Sequence, residues 1–130
     1  MKASDVMTTG VITVGLNTPV LDIVRTLLSN KISAVPVLDE DGLLSGIVSE
    51  GDLIHLEGSD FLKSHSVKAA DVMTKSVIAA NPEMALGELV VLFDKHRIKR
   101  VPVVHHGKLV GIVSRTNILQ ALALSHEDAA

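Results

Sequence analysis

Apolar residues along this chain fall into short runs and helical stripes that alternate in a fixed order. Val11 to Val14 reads as a short strand. From Pro19, the residues Val20, Ile23, Val24, Leu27 and Leu28 recur at intervals of three and four, which predicts a helix with proline at its start. Ala34-Val35-Pro36-Val37-Leu38 is β-rich, and its proline predicts an edge, a strand start or a bulge. Asp41-Gly42 then marks a turn into a second strand, Leu43 to Val48, so a hairpin is expected. A short helix follows from Glu50.

The pattern then runs again. Asp5-Val6-Met7-Thr8 returns as Asp71-Val72-Met73-Thr74, an offset of 66, as do Val11-Ile12 (Val77-Ile78) and Val35-Pro36-Val37 (Val101-Pro102-Val103). Gly46-Ile47-Val48-Ser49 returns as Gly111-Ile112-Val113-Ser114 at an offset of 65. One residue is lost between Asp39-Glu40-Asp41-Gly42 and His105-His106-Gly107, at a turn, where a duplicated fold tolerates it. The second copy has a strand from Val77 to Ala80 and a helix carrying Leu86, Leu89, Val90 and Phe93. A hairpin through His106-Gly107 into Leu109 to Val113 follows, and then a short helix from Arg115. Each unit is β-α-β-β-α. The expected division is repeat one at 1–57, a linker at 58–68, repeat two at 69–124 and a tail at 125–130. Residues His55 to Lys68 are mixed and polar, a loop with one helical turn around Phe61-Leu62-Lys63. A unit of about 60 residues is marginal alone, so the expected fold is α/β (α+β), two units related by a pseudo-twofold and packed through their sheets into a shared core.

Composition narrows the function. Aromatic residues are 2% of the 130, only Phe61 and Phe93, which argues against a base-stacking nucleic-acid platform. Any ligand pocket is expected to be aliphatic and backbone-lined. Twelve basic and fifteen acidic residues give a net charge of −3, with no global pull toward polyanions or anionic lipid. That balance also limits nucleic-acid binding through the basic run 95–100. With no cysteine there is no disulfide framework, thiolate zinc site or cysteine nucleophile. The N-terminus lacks an apolar signal region, and no apolar run approaches membrane-spanning length. A soluble cytoplasmic protein without nucleic-acid or membrane partners is the expectation. The six histidines show no zinc spacing, and His105 and His106, neighbours in a tight turn, are expected to point apart. No nucleophile elbow, triad or P-loop is present, so no enzyme is expected.

Ser49-Glu50-Gly51-Asp52 follows a strand and opens a helix. Ser49 can be the N-cap, with Asp52 bonding the N-cap amide. Equally, a carboxylate at such a helix start can bond a ribose diol, with Gly51 admitting a ligand close to the backbone. The two roles are compatible. In copy two the run is Ser114-Arg115-Thr116-Asn117; Asn117 can accept from a hydroxyl but is uncharged, so a weaker or different site is expected. Lys95, His96 and Arg97 suit a helix C-terminus, where cations offset the dipole. Lys99 and Arg100 come just after it, where copy one has the neutral Ser33 and Ala34.

The strings DVMT, VITV, ISAVPVLDEDGLLSGIVSEGDLI and HRIKRVPVVHHGKLVGIVSRTNIL resemble a tandem pair of CBS domains, the Bateman module, from Ala3 to about Leu122. Such pairs accompany IMP dehydrogenase, AMP-activated kinase, chloride channels and magnesium transporters. The resemblance implies a non-catalytic sensor of an adenosine-containing ligand (AMP, ATP or S-adenosylmethionine), with no cofactor required, bound in a cleft between the repeats. It implies a homodimer formed through the CBS helices, and a regulated partner protein. It also implies that sites are shared between copies. One site would combine Ile78 and Lys99 with Ser49, Gly51 and Asp52. The other would combine Ile12, Ser33 and Ala34 with Ser114, Thr116 and Asn117, with Arg100 in reach of a phosphate. The alternative is a ligand-independent dimerisation or docking module.

Overall fold

A computed structural model describes residues 1–56 and 67–129. The elements in chain order are α1 (Ala3–Val6), β1 (Val14–Gly15), α2 (Val20–Asn30), β2 (Ala34–Leu38), β3 (Leu44–Ser49), α3 (Glu50–Ile54), α4 (Ala69–Val72), α5 (Leu86–His96), β4 (Arg100–His105), β5 (Lys108–Ser114) and α6 (Arg115–Ala129). The helical turn expected around Phe61-Leu62-Lys63 lies outside the described residues. The fold is mixed α/β with small sheets. None of the described helices is long and apolar enough to cross a membrane.

The chain forms two compact units: one of Ile12–Val77, the other of Met1–Val11 with Ile78–Ala130. The sequence repeats and the compact units therefore do not coincide. Each Asp-Val-Met-Thr segment packs in the unit built on the other copy's hairpin.

In the Ile12–Val77 unit, β1 pairs parallel with β2, and β2 antiparallel with β3. Ile23 and Leu27 of α2 cover Val35, Val37 and Val48 of the sheet, with Ala69 of α4 closing the core. Their helical spacing was plain in the sequence, and each is under a tenth exposed. In the other unit β4 pairs antiparallel with β5. Leu89 and Phe93 of α5 and Ile118 of α6 cover Val101, Val103 and Val113, and Ala3 takes the place Ala69 has in its unit.

The opening strands are shorter than expected. Val11 to Val14 contributes only Val14–Gly15, and Val77 to Ala80 only a bridge from Ala80 to Val103. The chain changes units at Val11/Ile12 and at Val77/Ile78, so only the end of each run reaches a strand. The closing helix of copy two is also longer than a short cap, 15 residues to Ala129.

Of the edge, strand start or bulge expected for the prolines, the structure has both inside their strands next to a register irregularity, and Pro102 also in one strand of a two-stranded sheet. Pro36 sits mid-strand opposite Ile47, and Pro102 opposite Ile112, each one residue before a register shift. Ile112 exchanges both backbone bonds with Thr8, and Ile47 both with Thr74, at 2.8–3.0 Å. Those groups therefore face away from the proline strand, and each Pro–Ile pair is a non-hydrogen-bonded pair of the ladder. A missing N–H costs nothing there. The Pro102 carbonyl accepts from Ala80 on its other side at 2.9 Å.

The deleted residue is a change of turn. His105 pairs with Lys108 around His106 and Gly107, with φ of 51° and 80°, a two-residue loop of the kind that matches strand twist. In copy one Glu40-Asp41-Gly42 makes the loop one residue longer. The Asp39 carboxylate accepts from the amides of Asp41 and Leu43 at 2.9 Å, and Gly42 takes φ of 81°.

Each short Asp-Val-Met-Thr helix is held at both ends. The Asp5 carboxylate accepts from the Lys2 amide at 2.7 Å, and that of Asp71 from the Lys68 amide at 2.9 Å. The Met7 and Met73 side chains lie against Gly111 and Gly46, where a β-carbon would come within 2.5 and 2.8 Å of sulfur. Lys2 also reaches Glu83 at 2.6 Å, and that hydrogen bond raises the lysine above its ordinary range.

Candidate functional site

In the Ile12–Val77 unit the β3–α3 junction forms the capping box expected from the sequence. The Ser49 Oγ accepts from the Asp52 amide at 3.2 Å. The Asp52 Oδ2 accepts from the Ser49 amide at 2.9 Å and from the Ser49 hydroxyl at 3.0 Å. A further partner was not foreseen: the Thr74 hydroxyl donates to Asp52 Oδ1 at 3.0 Å. Asp52 is half-buried. A carboxylate has about four lone-pair sites. Among the described residues three are filled, which leaves one acceptor position open on Oδ1. Only the recurrence of Asp-Val-Met-Thr could have drawn attention to Thr74. Its role became visible once the backbone pair Thr74–Ile47 set the threonine beside the cap.

The second junction repeats this geometry with a different chemical outcome. Asn117 Oδ1 accepts from the Ser114 amide at 2.9 Å and from its hydroxyl at 3.0 Å, and Ser114 Oγ accepts from the Asn117 amide at 3.1 Å. An amide oxygen has two lone pairs, and both are used. Among the described residues the cap thus takes up the Asn117 Oδ1, and its Nδ2 is left to donate. Thr8 makes no counterpart of the Thr74 bond among the described residues.

Gly51 is exposed, and a β-carbon there would meet only Ser49 Oγ, at 3.6 Å. The other described residues leave that surface open. Its counterpart, Thr116, carries a side chain in the same kind of exposed first-turn position. Ser33 and Ala34 lie beside the first cap: the Ser33 carbonyl accepts from the Glu50 amide at 2.9 Å, and Ala34 pairs with Ser49. Lys99 and Arg100 hold the same places beside the second, the Lys99 carbonyl accepting from the Arg115 amide at 3.0 Å and Arg100 pairing with Ser114. One unit therefore sets a carboxylate beside small neutral residues, and the other sets an amide beside two cations. Lys99 is exposed and Arg100 half-buried. Ile12 is exposed at the start of its unit, while Ile78 packs half-buried against the core of the other.

The histidine expectation also changes. The rings of His105 and His106 lie 4.0 Å apart between centroids, tilted at 59°. Positive φ at His106 turns its side chain back toward its neighbour. Among the described residues no group of three or more His, Asp or Glu could hold a metal ion.

Among known proteins, the uncharacterized protein MJ1426 of Methanocaldococcus jannaschii is 34% identical over 134 residues, covering 78% of this chain and 80% of its own. A crystal structure of CBSX2 in complex with AMP is similar at a TM-score of 0.85 and 28% identity, over 96% of this chain and 98% of that one. The CBS domain pair of protein MJ0100, in complex with 5′-methylthioadenosine and S-adenosyl-L-methionine, is similar at a TM-score of 0.78 and 25% identity, over 96% and 98%. The CBS domain model matches residues 3–58 and again 69–124, and the chain belongs to the CBS-domain family as a tandem pair.

Proposed function

We propose that this chain is a non-catalytic regulatory module that binds an adenosine-containing ligand: AMP, ATP or S-adenosylmethionine. The observation that carries this reading is the open acceptor on Asp52 Oδ1 beside the bare backbone at Gly51. A ribose hydroxyl donating to a carboxylate makes a charge-assisted bond, stronger than one to an amide. In this reading Ser49, Gly51 and Asp52 take the ribose. Ile12 and Ile78 supply aliphatic contact for adenine, with backbone from Ser33 and Ala34. Lys99 and Arg100 face a phosphate, where an arginine fork and a lysine point charge both serve. Ser114, Thr116 and Asn117 form a donor-only, poorer ribose position. CBSX2 with AMP and MJ0100 with two adenosine compounds support the ligand class. Binding regulates through differential affinity for two conformations, since equal affinity shifts nothing.

Calorimetric titration with AMP, ATP and S-adenosylmethionine tests this. Saturable binding is expected with at least one of them, weakened by Asp52→Ala and Lys99→Ala. No heat with any adenosine compound at about 1 mM, a Kd limit equivalent to ~4 kcal/mol, would leave a docking module as the better account.

A second observation favours homodimerisation. Both units carry an apolar groove of about 360 Å³, between α2 and α3 in one and between α5 and α6 in the other. Leu28 and Ile54 are 74% and 79% exposed beside the first, and Leu119 is 65% exposed beside the second. Apolar side chains this exposed, clustered in a groove, suit an interface. We read a homodimer through these helices, which light scattering of the purified protein checks.

A further inference from the structure

Sulfur chemistry in this chain belongs to methionine alone. There is no cysteine, and the methionines are Met1, Met7, Met73 and Met84. Met7 and Met73 stand at equivalent places in the two copies and make the same contact. Met73 is half-buried and packs against the core of the Ile12–Val77 unit. Its sulfur lies 2.8 Å from where a β-carbon on Gly46 would be. Met7 is half-buried against the core of the other unit, with its sulfur 2.5 Å from the same point on Gly111. Each sulfur thus fills the space that a glycine leaves, and each methionine is still partly open to solvent. The backbone amides beside the contact are already used. Those of Ile47 and Thr74 donate to each other's carbonyls at 3.0 and 2.8 Å, and those of Ile112 and Thr8 do the same at 2.9 and 2.8 Å.

We propose that Met7 and Met73 are paired oxidation sites, and that a peroxide undocks the Asp-Val-Met-Thr segments by converting both to the sulfoxide. A sulfur lone pair attacks one peroxide oxygen and the O–O bond breaks. The second oxygen takes up the proton of the first and leaves as water. Sulfur gives up two electrons and the peroxide gains them. A flexible apolar thioether has then become a polar group. Pressed on a glycine against an apolar core, with the adjacent amides taken, the new oxygen lacks a donor, and burying it unpaired is unfavourable. Lifting the methionine off the glycine relieves this and draws the following threonine away from its backbone pair. In the Ile12–Val77 unit that threonine is Thr74, so oxidation also breaks the hydroxyl bond to Asp52. The effect on ligand binding rests on the Asp52 reading above; the undocking does not. Methionine sulfoxide reductase restores the thioether, so the change is reversible.

Hydrogen peroxide treatment tests this in the wild type, Met7→Leu, Met73→Leu and the double variant, each compared before and after. Leucine keeps the volume and cannot be oxidised. Peptide mass spectrometry should find an added oxygen on Met7 and Met73 of the wild type. Its thermal midpoint should fall by about 5 °C or more and recover with the reductase. Each single variant should lose part of that fall, and the double variant nearly all of it. Met73→Gln, which puts a polar group in the same place, should lower the midpoint without peroxide. AMP affinity should drop about five-fold or more on oxidation of the wild type and of Met7→Leu, and hold in Met73→Leu. Three results would each overturn the proposal: complete oxidation of Met7 and Met73 with an unmoved midpoint, equal falls in the wild type and the double variant, or both methionines unmodified once Met1 is fully oxidised. A wild type that never binds AMP counts against the ligand reading alone, and the midpoint still decides the undocking.

Discussion

Asp52 shows how one side chain can serve the fold and a ligand together. Its Oδ2 closes the capping box, while Oδ1 is shared between the Thr74 hydroxyl and an open position. Asn117 performs the capping half alone, with its oxygen saturated. The protein thus contains its own control for separating the two roles. Asp52→Asn keeps an oxygen for the cap, whose two lone pairs the cap fills, so the Thr74 hydroxyl and a ligand hydroxyl both lose their acceptor. Its unfolding free energy should stay within about 1 kcal/mol of wild type, while adenosine-ligand affinity falls about ten-fold or more. Asp52→Ala loses the box as well, at about 1 kcal/mol of stability. Chemical denaturation and calorimetry on the same samples read both effects. Unchanged ligand affinity in Asp52→Asn would refute this assignment. The reverse change, Asn117→Asp, should create an acceptor in the other unit and strengthen ligand binding there.

At the level of elements, each Asp-Val-Met-Thr segment explains a glycine and a proline on the hairpin it docks against. The threonine exchanges backbone bonds with the isoleucine after the glycine, and that exchange is what leaves the proline opposite without a required donor. The methionine and the threonine carbonyl close over the glycine. At Gly46 a β-carbon would come within 2.8 Å of both the Met73 sulfur and the Thr74 carbonyl oxygen; at Gly111 the Thr8 oxygen is 3.0 Å away. A methionine tip can move, but a paired backbone carbonyl cannot. Gly46→Ala should therefore cost about 1–3 kcal/mol by overpacking, and Gly111→Ala somewhat less. Because Thr74 also bonds Asp52, only Gly46→Ala should lower ligand affinity. Equal binding loss in both variants would count against the Thr74 link. Much of this was legible in sequence. The helical stripes at Ile23–Leu27 and Leu89–Phe93 were, and so were the box at Ser49–Asp52 and the turn at the deleted residue. The threonine bond was not, because a repeated motif shows that a segment matters without showing what it touches. The saturation of Asn117 was not either, because it depends on counting lone pairs in three dimensions.

For the whole molecule, the repeat conceals which pieces fold together. The two Asp-Val-Met-Thr segments are alike, as are the two Gly-Ile-Val-Ser strands they cap, so either segment matches either strand in sequence. The structure assigns each to the strand of the other copy, giving units of 12–77 and of 1–11 with 78–130. The repeat boundaries therefore cut through a core. A fragment of 1–57 lacks Ala69 and Met73 of its own core, along with the Val20–Val67, Ala69–Thr18 and Thr74–Ile47 backbone bonds. Its first residues instead carry the partners of Met84 and Ile112, which it also lacks. A fragment of 12–77 keeps every one of the missing contacts at nearly the same length. Both are small enough to be marginal, so completeness of the core decides between them. The 12–77 fragment should unfold with a cooperative thermal transition by circular dichroism and show slowed amide exchange along β2 and β3. The 1–57 fragment should melt without a cooperative transition. A cooperative 1–57 fragment of equal stability would mean that the exchanged segment contributes little, and that the sequence repeat is the folding unit after all.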